Sequence, residues 1–174
     1  IKIKKITGGH QHSILIDHIG QVYTFGQNIY GQCGINNNGN DILLPVNIPF
    51  FHDIIISNVY GGENMSYYID HNGDLYFSGY YEESYFITTP QHMKFDLPII
   101  DIACGLNHTL VLTYNGDVYA WGNSEYGQIG HGSYNTISIL KPRLILYNKN
   151  IQSIACGRYY SYALNKVGIL YGWG

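Results

Sequence analysis

Short stretches of alternating apolar and polar residues recur along this chain. Residues 13–16, 66–69, 109–112 and 161–164 alternate as strands do, and each is followed across a short turn by a second such run at 22–25, 75–78, 118–121 and 169–173. An apolar stretch ending in glycine precedes each pair, at 3–9, 54–62, 99–105 and 151–157. A loop and a further apolar segment follow the first three, at 44–48, 87–93 and 140–146. Pro45, Pro90 and Pro142 fall in these last segments, which suits an outer edge strand where a missing N–H is tolerated. The pattern predicts four strands in each of the first three units and three in the last.

Glycine punctuates these units in a fixed register. Gly9, Gly20 and Gly26 recur as Gly62, Gly73 and Gly79, as Gly105, Gly116 and Gly122, and as Gly157, Gly168 and Gly174. The middle glycine closes a turn opened by Asp17, Asp70, Thr113 or Asn165, whose side chains can bond back to the backbone. Units of about 50 residues with four short strands have the size of a β-propeller blade. A lone blade cannot bury its faces, so stacking on neighbours must make the core. The expected organisation is one partial β-propeller domain over 1–174, with repeat units at about 1–53, 54–97, 98–149 and a truncated 150–174.

Composition narrows the class. Of 174 residues only 12% are charged, against roughly 25% in ordinary soluble domains, while Gly and Tyr contribute 21 and 18. Such a chain is all-β rather than helical. A mean hydropathy of −0.09 with 45% hydrophobic residues excludes disorder. No apolar run approaches the ~20 residues that span a bilayer. The net charge of −3, with Lys2, Lys4 and Lys5 as the one basic cluster, argues against direct nucleic acid binding. Cys33, Cys104 and Cys156 are odd in number and lack paired spacing, which favours a reducing, intracellular location in cytoplasm or nucleus. No signal-peptide pattern opens the chain. The absence of an initial Met and the ending at Trp173-Gly174 suggest part of a longer protein.

The segment 102–130 reads Ile-Ala-Cys-Gly-x-x-His-Thr, then Asn-Gly-Asp-Val-Tyr-Ala-Trp-Gly-Asn, then Tyr-Gly-Gln-x-Gly, and 8–34 carries much of the same pattern. This resembles the repeat of the regulator-of-chromosome-condensation family. The second repeat departs from it, with Tyr80-Tyr-Glu-Glu-Ser-Tyr85 in place of Tyr-Gly-Gln-x-Gly. The resemblance implies a seven-bladed ring of four-stranded antiparallel blades, of which this chain supplies an arc of just under four. The remaining blades would come from a longer chain or another subunit.

No catalytic constellation emerges, and no cofactor or metal site is expected. His10 and His12 could be half a metal site, but no third ligand stands at suitable spacing. Met65 and Tyr160 fill the slot that His12 and His108 occupy, so a packed histidine bonding to a neighbouring strand is the favoured reading. The cysteines read as small core residues. Asn64-Met-Ser66 and Asn107-His-Thr109 match the glycosylation pattern where the repeat itself demands Ser or Thr. Trp121 and Trp173 read as core.

The informative positions follow each first glycine: His10 and Gln11, Glu63 and Asn64, Leu106 and Asn107, Arg158 and Tyr159. They differ in every repeat while their neighbours stay alike, which frees them for recognition. The alternative is plain solvated turns. In family members these positions form a functional face, acidic and His residues in the exchange factor for the Ran GTPase, Trp and Arg in the plant ultraviolet-light receptor. Here only Glu63 is acidic and none is Trp. Tyr80, Tyr81, Glu82 and Glu83 form a second candidate, an interaction loop with aromatics beside acids. The leading expectation is a non-enzymatic module that binds a protein partner through one propeller face and its loops. The alternative is a guanine-nucleotide exchange factor for a Ran-type small GTPase.

Overall fold

A computed structural model describes residues 1–82, 85–132 and 138–174. The chain divides into two compact units, Ile1–Asp96 and Leu97–Gly174. In the first, β1 (Ile3–Gly8), β2 (His12–Asp17), β3 (Val22–Gly26) and β4 (Ile42–Asn47) form one antiparallel sheet in sequence order. A second sheet follows in the same order, from β5 (Ile56–Gly61), β6 (Met65–Asp70), β7 (Leu75–Glu82) and β8 (Tyr85–Met93). The other unit holds β9 (Ile99–Cys104), β10 (His108–Thr113), β11 (Val118–Gly122) and β12 (Ile139–Leu146) in one sheet. Its second sheet has three strands, β13 (Ile151–Cys156), β14 (Ser161–Asn165) and β15 (Leu170–Trp173).

The alternation seen in the sequence places one face of each sheet against its neighbour. Ile14, Ile16 and Val22 of the first sheet meet Ile56, Val59 and Tyr68 of the second in one fully buried cluster. Phe51 completes it, its ring 4.8 Å from that of Tyr68. Phe51 arrives on a 3₁₀ turn at Pro49–Phe51 that the strand pattern does not announce. In the other unit Leu110, Leu112, Val118 and Ala120 pack with Ile151 and Ala163. Burial of this kind, about 25 cal/mol per Å² of apolar surface, is what neighbouring sheets offer one another. Pro45, Pro90 and Pro142 lie on β4, β8 and β12, each the outer strand of its sheet.

The predicted turns form as expected between the second and third strands. Asp17 Oδ1 accepts from the backbone N–H of Ile19 and Gln21 at 3.0 and 2.9 Å. Asp70 does the same with Asn72 and Asp74, and Asn165 with Val167 and Ile169. Gly20, Gly73, Gly116 and Gly168 close these turns at φ of 86°, 87°, 85° and 91°, where any side chain is strained.

The segment after Gly79 differs from expectation. Tyr80, Tyr81 and Glu82 belong to β7 rather than to a loop, and β8 starts at Tyr85 instead of near 87. Tyr80 pairs with Phe86 and Glu82 with Tyr85 across the ladder. Aromatic residues favour strands, and Tyr80 and Phe86 also pack on Tyr30, with ring centroids 5.8 and 5.3 Å away. Glu83 lies outside the described residues.

Candidate functional site

Each of the four variable pairs is the two-residue bend joining the first strand of a sheet to the second. The first glycine donates its N–H across the bend: Gly9 to the His12 carbonyl at 2.9 Å, Gly62 to Met65 at 2.8 Å, Gly105 to His108 at 2.8 Å and Gly157 to Tyr160 at 2.9 Å. The far side is fastened to the end of the third strand. The carbonyls of Gln11, Asn64 and Asn107 accept from the N–H of Gln27, Tyr80 and Asn123 at 2.8, 2.9 and 2.6 Å.

The third glycine makes that contact possible. A Cβ on Gly26, Gly79, Gly122 or Gly174 would stand 2.5, 2.2, 2.3 or 2.4 Å from the carbonyl oxygen of Gln11, Asn64, Asn107 or Tyr159. The first glycine has another duty, because the side chain three residues on lies over it. A Cβ on Gly9 or Gly105 would meet the ring of His12 or His108 at 2.1 or 2.0 Å, and one on Gly157 would meet Tyr160 at 2.0 Å. The course of the main chain at the corners is therefore set by backbone bonds and by glycine.

Neighbouring corners touch within each unit. The N–H of His10 donates to the Glu63 carbonyl at 3.2 Å, and that of Leu106 to the Arg158 carbonyl, also at 3.2 Å. The structure thus brings His10 and Gln11 beside Glu63 and Asn64, and Leu106 and Asn107 beside Arg158 and Tyr159. His10, Gln11, Asn107, Arg158 and Tyr159 are exposed, while Glu63, Asn64 and Leu106 are half-buried.

Below the corners runs a buried polar chain. His12 Nε2 lies 2.9 Å from Ser66 Oγ, which donates to the Gln32 carbonyl at 2.6 Å. His108, Ser161 and Gln128 repeat this at 2.9 and 2.8 Å. Since the serine hydroxyl gives its proton to a carbonyl, each histidine donates from Nε2. Nδ1 of both rings is buried with no hydrogen-bond partner among the described residues. Burial pushes both imidazoles down to about 4, against a partial upward pull from the backbone of Met65 or Tyr160. His10 stands exposed on the bend while His12 is buried, so the two do not share a face.

Gln32 and Gln128 hold the Tyr-Gly-Gln-x-Gly loops. Their Oε1 atoms accept from the N–H of Tyr30 and Tyr126 at 3.0 and 2.8 Å, and their Nε2 groups donate to Gln27 and Asn123. Cys33 fills the fully buried slot that Ile129 fills in the other loop. All three cysteines are free thiols. Burial raises their pKa values, that of Cys156 to about 12. Trp121 is buried and Trp173 donates from Nε1 to the Gln128 carbonyl at 2.9 Å.

The held loops carry residues that the variable-pair reasoning passes over. The Tyr126 ring packs on Tyr159 at 4.7 Å, and the Arg158 guanidinium sits 5.2 Å from the Tyr159 centroid. Tyr126 belongs to the same repeat segment as Tyr30, which packs on Tyr80 and Phe86, and that shared slot is the signal in the sequence.

Residues 20–69 and 115–164 match the Regulator of chromosome condensation (RCC1) repeat, and 99–128 match a second description of it. The chain belongs to the RCC1 repeat family. Each longer match starts near the turn glycine and runs through two strands of one sheet and two of the next, so one RCC1 repeat straddles two sheets. Similar proteins include a zebrafish Protein RCC2 homolog, 31% identical over 95% of this chain and 40% of its own length. The Ultraviolet-B receptor UVR8 of Arabidopsis thaliana is 32% identical over 100% of this chain and 41% of its length. The chain thus spans about two-fifths of these RCC1-repeat relatives. Among solved structures, human WBSCR16 superposes with a TM-score of 0.86 at 24% identity, over 99% of this chain and 47% of that one. Prp20p from Saccharomyces cerevisiae, whose structure was described with its binding properties to Gsp1p and histones, gives 0.85 at 25% identity, over 99% and 44%. The four sheets are blades of a partial β-propeller. Among the described residues no helix is long and apolar enough to cross a membrane.

Proposed function

We propose that this RCC1-repeat chain is a non-enzymatic interaction module that binds a protein partner through the β-strand corners carrying His10, Gln11, Glu63, Asn64, Leu106, Asn107, Arg158 and Tyr159. One observation carries the reading: the corner backbone is fixed by repeated main-chain bonds while its side chains change from blade to blade. Loops on a rigid scaffold are where recognition residues gather. Tyr80 and Tyr81, with the hairpin they begin, extend the surface beside Tyr30. The free cysteines suit an intracellular, cytoplasmic or nuclear setting. Further blades, from the same chain or another subunit, complete the propeller.

Replacing Arg158 and Tyr159 together with alanine tests this. Capture of the partner by the full protein should weaken, with thermal stability within about 1 kcal/mol of the parent. Loss of folding instead would reassign the pair to structure.

A second reading is exchange-factor activity on a Ran-type small GTPase, favoured by the likeness to Prp20p and its binding to Gsp1p. The full-length protein would then speed release of labelled GDP from such a GTPase. Unchanged release ends that reading.

A further inference from the structure

We infer that the corner formed by Arg158, Tyr159 and Tyr126 is a subsite for a side-chain carboxylate in an acidic peptide segment of the partner. This rests on the protein-binding reading and names the chemistry of one of its corners.

Arg158 is exposed, and among the described residues no carboxylate lies within ion-pair distance of it. Its guanidinium is held against the Tyr159 ring at 5.2 Å, and Tyr159 is braced by Tyr126 at 4.7 Å. Stacking spends the face of the guanidinium and leaves its N–H edge free, the edge that grips a carboxylate with two parallel bonds. Tyr126 and Tyr159 remain 55% and 36% exposed, so each still offers ring surface to an incoming chain. The platform is preorganised: Gln128 Oε1 holds the Tyr126 N–H, and the Arg158 carbonyl is tied to Leu106. Fixing these groups beforehand lowers the ordering cost of binding.

Charge points the same way. The unit Leu97–Gly174 carries Lys141, Arg143, Lys149, Arg158 and Lys166 against Asp101, Asp117 and Glu125. That is an excess of two positive charges within a chain of net charge −3; Asp117 is buried and accepts from the Asn148 N–H at 2.9 Å, while Glu125 is exposed beside Tyr126. An arginine held on an aromatic platform presents its planar fork to a carboxylate, which it can grip through two parallel bonds.

The test is binding of the full protein to an array of immobilised 12-residue peptides rich in Glu, in Gln, in Lys or in phosphoserine, read with parent, Arg158→Ala, Arg158→Lys and Tyr126→Ala forms. Expected is retention on Glu-rich members alone, weakened at least about tenfold by Arg158→Ala and less by Arg158→Lys, and falling with added salt. Preference for phosphoserine or Lys peptides, still dependent on Arg158, overturns the carboxylate assignment and leaves the corner as a binding face. Binding that ignores both Arg158 and Tyr126 overturns the subsite and counts against the face itself. No retention on any member overturns the subsite.

Discussion

His12 and Ser66 stand 54 positions apart in sequence and 2.9 Å apart in space, joined as Nε2–H to Oγ between β2 and β6. His108 and Ser161 repeat the relationship. Removing either partner leaves a buried polar atom unmet, so His12→Ala and Ser66→Ala should each cost about 2–3 kcal/mol. Urea melts of the single and double variants check this. Costs that add fully in the double variant would show that the two groups do not interact.

The same histidines set a pH dependence. Their folded-state value near 4 lies below the ordinary 6.5, so the unfolded chain binds protons that the folded chain refuses. Their contribution to stability is complete above pH 6.5 and is lost as pH falls toward 4, by roughly 3 kcal/mol for each at ~1.4 kcal/mol per unit. Melting measured at pH 7, 6 and 5 should fall steadily. The slope should shrink by about half in His108→Gln, and an unchanged slope would remove the histidines from the account.

Glycines in equivalent registers should differ in their tolerance. Gly122→Ala faces both a φ of 110° and the Asn107 carbonyl at 2.3 Å, and should cost about 3 kcal/mol or more. Gly157→Ala has its nearest contacts on the ring of Tyr160, a side chain 48% exposed and packed on Tyr162 at 5.5 Å, and should cost less than Gly122→Ala, by about 1 kcal/mol or more. Gly9→Ala should exceed Gly157→Ala, because its Cβ also meets the Gly62 carbonyl at 2.3 Å. Chemical melts of the three variants give the ranking.

Thiol chemistry offers a check on the core. Cys33 is fully buried, and burial raises all three thiols, Cys156 to about 12. At pH 7.5 an aromatic disulfide reagent should modify the native protein slowly and the urea-unfolded protein at once, since the thiolate is the reacting form. Cys104 and Cys156 are half-buried rather than core residues, so it is fast reaction of Cys33 in the native state that would place that thiol outside the packed interior.

Much of the fold is legible because the repeat writes it several times. Gly20, Gly73, Gly116 and Gly168, each three residues after a backbone-bonding side chain, mark turns whose geometry admits few alternatives. Strand order and the outer places of Pro45, Pro90 and Pro142 follow from the same pattern. Tyr80–Phe86 misleads because breaking a repeat motif looks like a loop, whereas cross-strand pairing and the Tyr30 contact extend the hairpin. Phe51 enters the core on a turn too short to leave a periodic signature. The Tyr126–Tyr159 stack joins residues of different repeats, which local spacing cannot reveal. The sequence does suggest that His12 and His108 bond to a neighbouring strand, but not that the bonds continue through serine to Gln32 and Gln128.

The glycine-backed corner separates two demands that most surfaces must reconcile. Amide-to-carbonyl ties and absent β-carbons keep each bend in place, so mutation can rewrite Gln11, Asn64, Asn107 or Tyr159 while the architecture beneath goes unchanged. Under the binding reading, what the corner presents to a visitor can be altered without renegotiating how the chain folds.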